Sequence, residues 1–160
     1  MLTNASKRTR KQRAPFKRDV SAKRMNDERL GKIERHIDAW IGEIPFEFSC
    51  SGTKTLRFRI RAGEEGPSIE QKRLLEGLAL RYQALWPKIS RKLEELRSGP
   101  GNTDSTRFPK PRLLLSVPGH VGSEVFDFLL GYEFDRDEAE GTGYFFGFSE
   151  WELKYAAKAS

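Results

Sequence analysis

Four features of this chain have residue types that could do chemistry: an acidic turn, a glycine cluster, two histidines with one cysteine, and a basic run. The turn reads Asp135-Arg136-Asp137-Glu138-Ala139-Glu140-Gly141. A calcium loop of the EF-hand kind needs a ligand at its fifth position and glycine at its sixth. Counted from Asp135 those places hold Ala139 and Glu140, so the segment reads as a solvated hairpin turn. Gly141-Thr142-Gly143 with Gly147 lacks the G-x-G-x-x-G spacing of a dinucleotide loop, and it opens no helix. His36 and His120 stand far apart, outside any zinc-ligand pattern. Cys50 alternates in phase with Phe48, which turns it inward as a packed thiol rather than a nucleophile with a base beside it. Trp40, Trp86 and Trp151 each adjoin an apolar run and read as core anchors. No metal and no cofactor is expected, and no set of residues names a reaction.

Charge carries more information. Residues 1–24 hold nine basic residues against Asp19 alone, a net +8, while the whole chain sums to +6. Residues 123–152 run the other way, with nine carboxylates against Arg136, a net −8. The basic segment has one aromatic, Phe16, and no apolar period, so residues 1–25 are expected to form a disordered arm ahead of one domain over residues 26–160. Lys7, Arg8, Arg10, Lys11, Arg13, Lys17 and Arg18 could displace counterions from a nucleic acid without any fold of their own. A solubilising tail, or Met25 as the true first residue, accounts for the same composition. A membrane is the poorer partner, because no apolar face accompanies the charge. With no apolar block behind the basic residues, no stretch of ~20 apolar residues and a lone cysteine, the chain is expected in the cytoplasm.

The elements that must position these residues follow from periodicity. Leu30, Ile33, Ile37 and Trp40 have helical spacing behind an Asn26 or Asp27 cap, interrupted by Gly31, and a short lead-in strand over Leu30 to His36 is the alternative. From Trp40 the period becomes two, through Ile44, Phe46, Phe48 and Cys50, and again through Leu56, Phe58 and Ile60. A hairpin with a three-residue loop sets Cys50 against Lys54, Glu47 against Arg57 and Glu43 against Arg61. Ser68 and Gln71 form a capping box, and Leu74, Leu78, Tyr82, Leu85, Ile89, Leu93 and Leu96 mark one face of a long helix, kinked or tightened at Pro87. Strands follow at Leu113–Val117, Phe126–Phe134 and Tyr144–Phe148. In one register of the last two, Phe145 faces Gly131 and Leu129 faces Gly147. Trp151, Leu153 and Tyr155 continue the pattern toward a frayed end.

The expected fold is therefore α+β: an antiparallel sheet of about five strands with one long amphipathic helix packed on one face, in the order β-β-α-β-β-β. The runs AWIGEIPFEF, LRFRIRAGEEGPSIEQ, LRYQALWPKI and GYFFGFSEWEL resemble small uncharacterised bacterial α+β domains of the immunity-protein-like type. That resemblance implies a non-enzymatic protein-interaction module. Its acidic C-terminal sheet, with Asp127, Glu133, Asp135, Asp137, Glu140 and Phe145 as partner-binding residues, would dock a basic partner. The alternative is an accessory nucleic-acid-binding protein that uses the arm.

Overall fold

The structure is a computed structural model that describes residues 23–97, 111–134 and 143–159. In chain order the described elements are β1 (Arg24–Asp27), β2 (Gly31–His36), β3 (Ala39–Phe48), β4 (Thr53–Arg61), α1 (Ile69–Arg97), β5 (Arg112–Val117), β6 (Gly119–Val121), β7 (Glu124–Phe126), β8 (Phe128–Glu133), β9 (Gly143–Ser149) and β10 (Glu152–Ala159). Eight strands form one sheet ordered β1-β2-β3-β4-β5-β8-β9-β10, and β6 and β7 form a separate two-stranded hairpin. The expected sheet of about five antiparallel strands is thus corrected to a larger, mixed one. The helix is the cause of the mixture. A strand joined to its neighbour through a helix re-enters the sheet in the same direction, so β4 and β5 pair in parallel across α1 while every other pair is antiparallel.

The extra strands come from segments whose local pattern misleads. Leu30, Ile33, Ile37 and Trp40 share helical spacing, yet the chain turns twice among them. The Asp27 carboxylate accepts the backbone N–H of Arg29 at 2.8 Å and of Leu30 at 3.0 Å, and Gly31 adopts a φ of 72°, which closes the β1–β2 turn. Leu30 and Ile33 are buried, whereas Ile37 lies in the β2–β3 turn with its side chain in solvent. The alternative lead-in strand matches β2. Arg24 and Met25, placed in the arm by composition, pair with Glu34 and Ile33 as part of β1. The segment expected to fray is β10, eight residues long with a bulge between Leu153 and Tyr155.

The long helix forms as its sequence demands. The Gln71 N–H donates to Ser68 Oγ at 3.2 Å and the Ser68 N–H donates to Gln71 Oε1 at 2.9 Å, a reciprocal capping box. Leu75, Leu78, Tyr82, Ile89 and Leu93 are buried, Leu74, Leu85 and Leu96 half-buried, and the helix runs through Pro87 without a 3₁₀ step. Against it stand Trp40, Leu56, Phe58, Ile60, Leu113, Leu115, Leu130, Tyr132, Phe146 and Phe148, all buried, from β3, β4, β5, β8 and β9. Burial of such side chains contributes about 2 kcal/mol each. Two glycines permit close approach: an added Cβ on Gly42 would lie 2.5 Å from the Phe58 ring, and one on Gly77 would lie 2.8 Å from the Trp151 ring.

Two polar features are built into this helix-side face. Tyr82 and Tyr132 share a 2.6 Å hydroxyl hydrogen bond. Burial pushes the Tyr82 hydroxyl up to about 12 and raises that of Tyr132 well above its ordinary value, so both stay neutral in the folded core. At the β1 edge Lys72 reaches the Asp27 carboxylate. Burial opposes that charge, but the Lys72 ammonium and the two backbone N–H groups together hold the carboxyl below its usual range. Among the described residues no helix is long and apolar enough to cross a membrane.

Candidate binding face

The other face of the sheet divides into two regions. Over β8, β9 and β10 it is apolar and covered. Leu129 pairs with Gly147 and Gly131 with Phe145, as alternation predicts. An added Cβ on Gly131 or Gly143 would sit 3.0 Å from the Phe145 ring, so that ring lies directly over bare backbone. The β6–β7 hairpin folds across the same region. Gly119 abuts the Leu129 backbone, and the Phe126 ring lies 2.9 Å from where a Cβ on Gly147 would stand, with Tyr155 beside it at 5.7 Å between ring centres.

Over β3, β4 and β5 the same face is open and basic, and strand register decides its character. The expected three-residue loop is corrected. Phe48 pairs with Thr53 around a four-residue turn in which Gly52 takes a φ of 70°, and a bulge between Pro45 and Phe48 adds a residue to β3. Cys50 therefore lies in the turn and is exposed rather than packed inward. The register moves by four positions: Glu43 faces Arg57, Ile41 faces Arg59 and Ala39 faces Arg61. On the parallel side Arg57 stands beside Leu114 and Arg59 beside Ser116. Arg59 and Arg61 thus run between apolar and small residues, while Arg57 keeps Glu43 opposite it.

At the end of this row lies a cleft of about 140 Å³, lined by Ala39, Arg59, Arg61, Ser116, His120 and Leu129 among others. Asp38, in the β2–β3 turn, accepts Arg59 at 3.5 Å and Arg61 at 3.0 Å. Arg61 Nη1 lies 3.4 Å from His120 Nε2. A guanidinium only donates, so this contact assigns the acceptor role to Nε2. Two arginines and one aspartate leave a net positive site open to solvent. Such a site can hold a carboxylate or a phosphate through charge-assisted hydrogen bonds.

The residues singled out from sequence are not gathered in one place. Lys7, Arg8, Arg10, Lys11, Arg13, Lys17 and Arg18 lie outside the described residues, as do Asp135, Asp137 and Glu140. Asp127 accepts the Glu150 N–H at 2.8 Å and so braces the β9–β10 turn. Glu133 is at the far end of β8, opposite Arg112 and Gly143. Phe145 is half-buried as the cover of the glycines. The tryptophans occupy separate packing sites: Trp40 donates to the Gly63 carbonyl at 2.8 Å, Trp86 lies near Tyr82 and Tyr132, and Trp151 lies under Arg81. His120 and Asp38 carried no sequence signal for a shared site. Only the alternation of Arg57, Arg59 and Arg61 pointed to this face. Among the described residues no cluster of three or more metal-ligating side chains forms. Comparison with protein-family models, with curated proteins and with solved structures finds no match for the chain.

Proposed function

We propose that the chain is a non-enzymatic interaction module whose docking surface is the basic half of the open sheet face, and that its partner is acidic. The observation that carries the reading is the register: Arg57, Arg59 and Arg61 stand in line, with Glu43 opposite Arg57 and one carboxylate, Asp38, shared by Arg59 and Arg61. Docking of a protein partner is what the immunity-like resemblance implies. The docking surface, however, moves from the acidic segment to the arginine row, and the partner's charge reverses. Asp127 and Glu133 support the earlier placement less well, because one braces a turn and the other faces Arg112. At the β1 edge of the same face Lys32, paired with Asn26, extends the basic surface toward the arm, a placement that also suits nucleic acid, while Arg24 beside it is balanced by Glu34 at 3.8 Å.

Fluorescence anisotropy of the full-length chain with labelled poly-glutamate and with a single-stranded oligonucleotide, each at low and high salt, tests the reading. Exchanging Arg57, Arg59 and Arg61 together for Gln should weaken poly-glutamate binding about tenfold, at well under 1 kcal/mol per charge, and leave thermal stability unchanged. Binding that ignores this triple exchange but disappears when Lys7, Arg8, Arg10, Lys11 and Arg13 are neutralised would overturn it in favour of the arm.

A further inference from the structure

Among the described residues five large apolar side chains are exposed: Ile37, Ile41, Ile69, Leu80 and Val125. Three of them adjoin residues of the arginine cleft in sequence or in strand register. Ile37 directly precedes Asp38, Ile41 pairs with Arg59, and Val125 pairs with His120 across the β6–β7 hairpin. Ile37 is the most unusual. The residue is 92% exposed and its φ is 60°. A β-branched residue in the left-handed region is a true outlier, and the first central position of a two-residue hairpin turn with positive φ is a place that favours glycine. Neither burial nor backbone preference explains isoleucine there. Strain of this kind is characteristic of recognition sites, where an external contact supplies the compensation.

We infer that the cleft between Asp38, Arg59, Arg61 and His120, with Ile37 and Val125 at its rim, is the anchor point for an acidic protein segment that places an apolar side chain beside a carboxylate. This rests on the arginine-face reading and narrows it to one end of the row. Asp38 already shows the geometry available to a carboxylate, held by both guanidiniums at 3.5 and 3.0 Å. The apolar rim separates an acidic polypeptide from a bare polyanion. Phosphates satisfy the arginines but leave Ile37 and Val125 in water, whereas a leucine or phenylalanine next to a glutamate covers them.

The test is an NMR titration of the isotope-labelled full-length chain with three probes: a short peptide alternating Glu with Leu, one alternating Glu with Ser, and a single-stranded oligonucleotide. The Glu-Leu peptide should bind about fivefold more tightly than the Glu-Ser peptide, the gain expected from covering one apolar side chain. The largest shifts should fall on residues 37–41, 59–61 and 120–125. Ile37→Gly should erase that preference while raising the melting temperature, and Val125→Ser should reduce the preference with stability unchanged. Equal binding of both peptides, or an Ile37→Gly protein that is less stable and keeps the preference, overturns the anchor. If shifts then spread over Lys32 and Arg57, the arginine face stands and only the anchor falls. An absence of shifts anywhere on this face removes both, and cleft shifts from the oligonucleotide alone overturn the acidic-protein partner.

Discussion

The two halves of the open sheet face share one backbone and opposite side-chain logic. Over β8 to β10, glycines in the strands are roofed by Phe145 and Phe126, so that half is a second, thin core. Over β3 to β5, full-length arginines stand in solvent between Glu43, Ile41 and Ala39 on one side and Leu114 and Ser116 on the other. The difference teaches where stability and recognition are separated in this molecule. Removing a ring from the first half opens a cavity, while removing a guanidinium from the second exposes nothing.

The sharpest break of that contrast is Phe126→Ala. It strips the cover from Gly147 and Tyr155, and denaturant unfolding should show a loss of about 3 kcal/mol. A smaller loss comes from a charge that does matter to the fold. Asp27→Asn, at the buried contact with Lys72, should cost about 2 kcal/mol near neutral pH. Because the folded carboxyl sits below its ordinary value, its contribution is complete above the unfolded value and is lost as pH falls through the folded one. The gap between the wild-type chain and Asp27→Asn should therefore narrow below about pH 4 in melts run across acid pH. Gly131→Ala follows, at about 1 kcal/mol, since the Phe145 ring must give way by a few tenths of an ångström. Smallest is Asp38→Asn, within about 0.5 kcal/mol for stability because its side chain is 46% exposed. The same exchange frees Arg59 and Arg61 and should tighten poly-glutamate binding a few-fold. A large stability loss there would merge the two halves that the comparison separates.

The alkaline limb probes the helix side in the same way. With Tyr82 pushed up to about 12 and Tyr132 raised too, the folded state keeps protons that the unfolded chain releases near pH 10. Stability should fall above that pH. Tyr132→Phe should lower neutral-pH stability by about 1 kcal/mol through the lost hydroxyl contact, and should lessen the alkaline fall.

The long helix, its capping box, the strand alternation and the pairing of Phe145 with Gly131 were legible in the residues, because each depends on spacings within a segment or on a glycine that must be covered. The β1–β2 hairpin was hidden: Gly31 and the Asp27 carboxylate override a helical spacing through turn contacts, and a periodicity count does not weigh such contacts. The candidate site was half legible. The sequence by itself determined that Arg57, Arg59 and Arg61 share a face, since alternation is a property of one strand. Only the tertiary structure decided what they face. A four-residue turn and one bulge shift the register by four positions, separate the row from Glu47, and let Asp38 from the β2–β3 turn and His120 from β6 meet Arg61. Register is set by which backbone donors reach which acceptors once the chain has collapsed, and a single extra residue in one strand changes every partner beyond it.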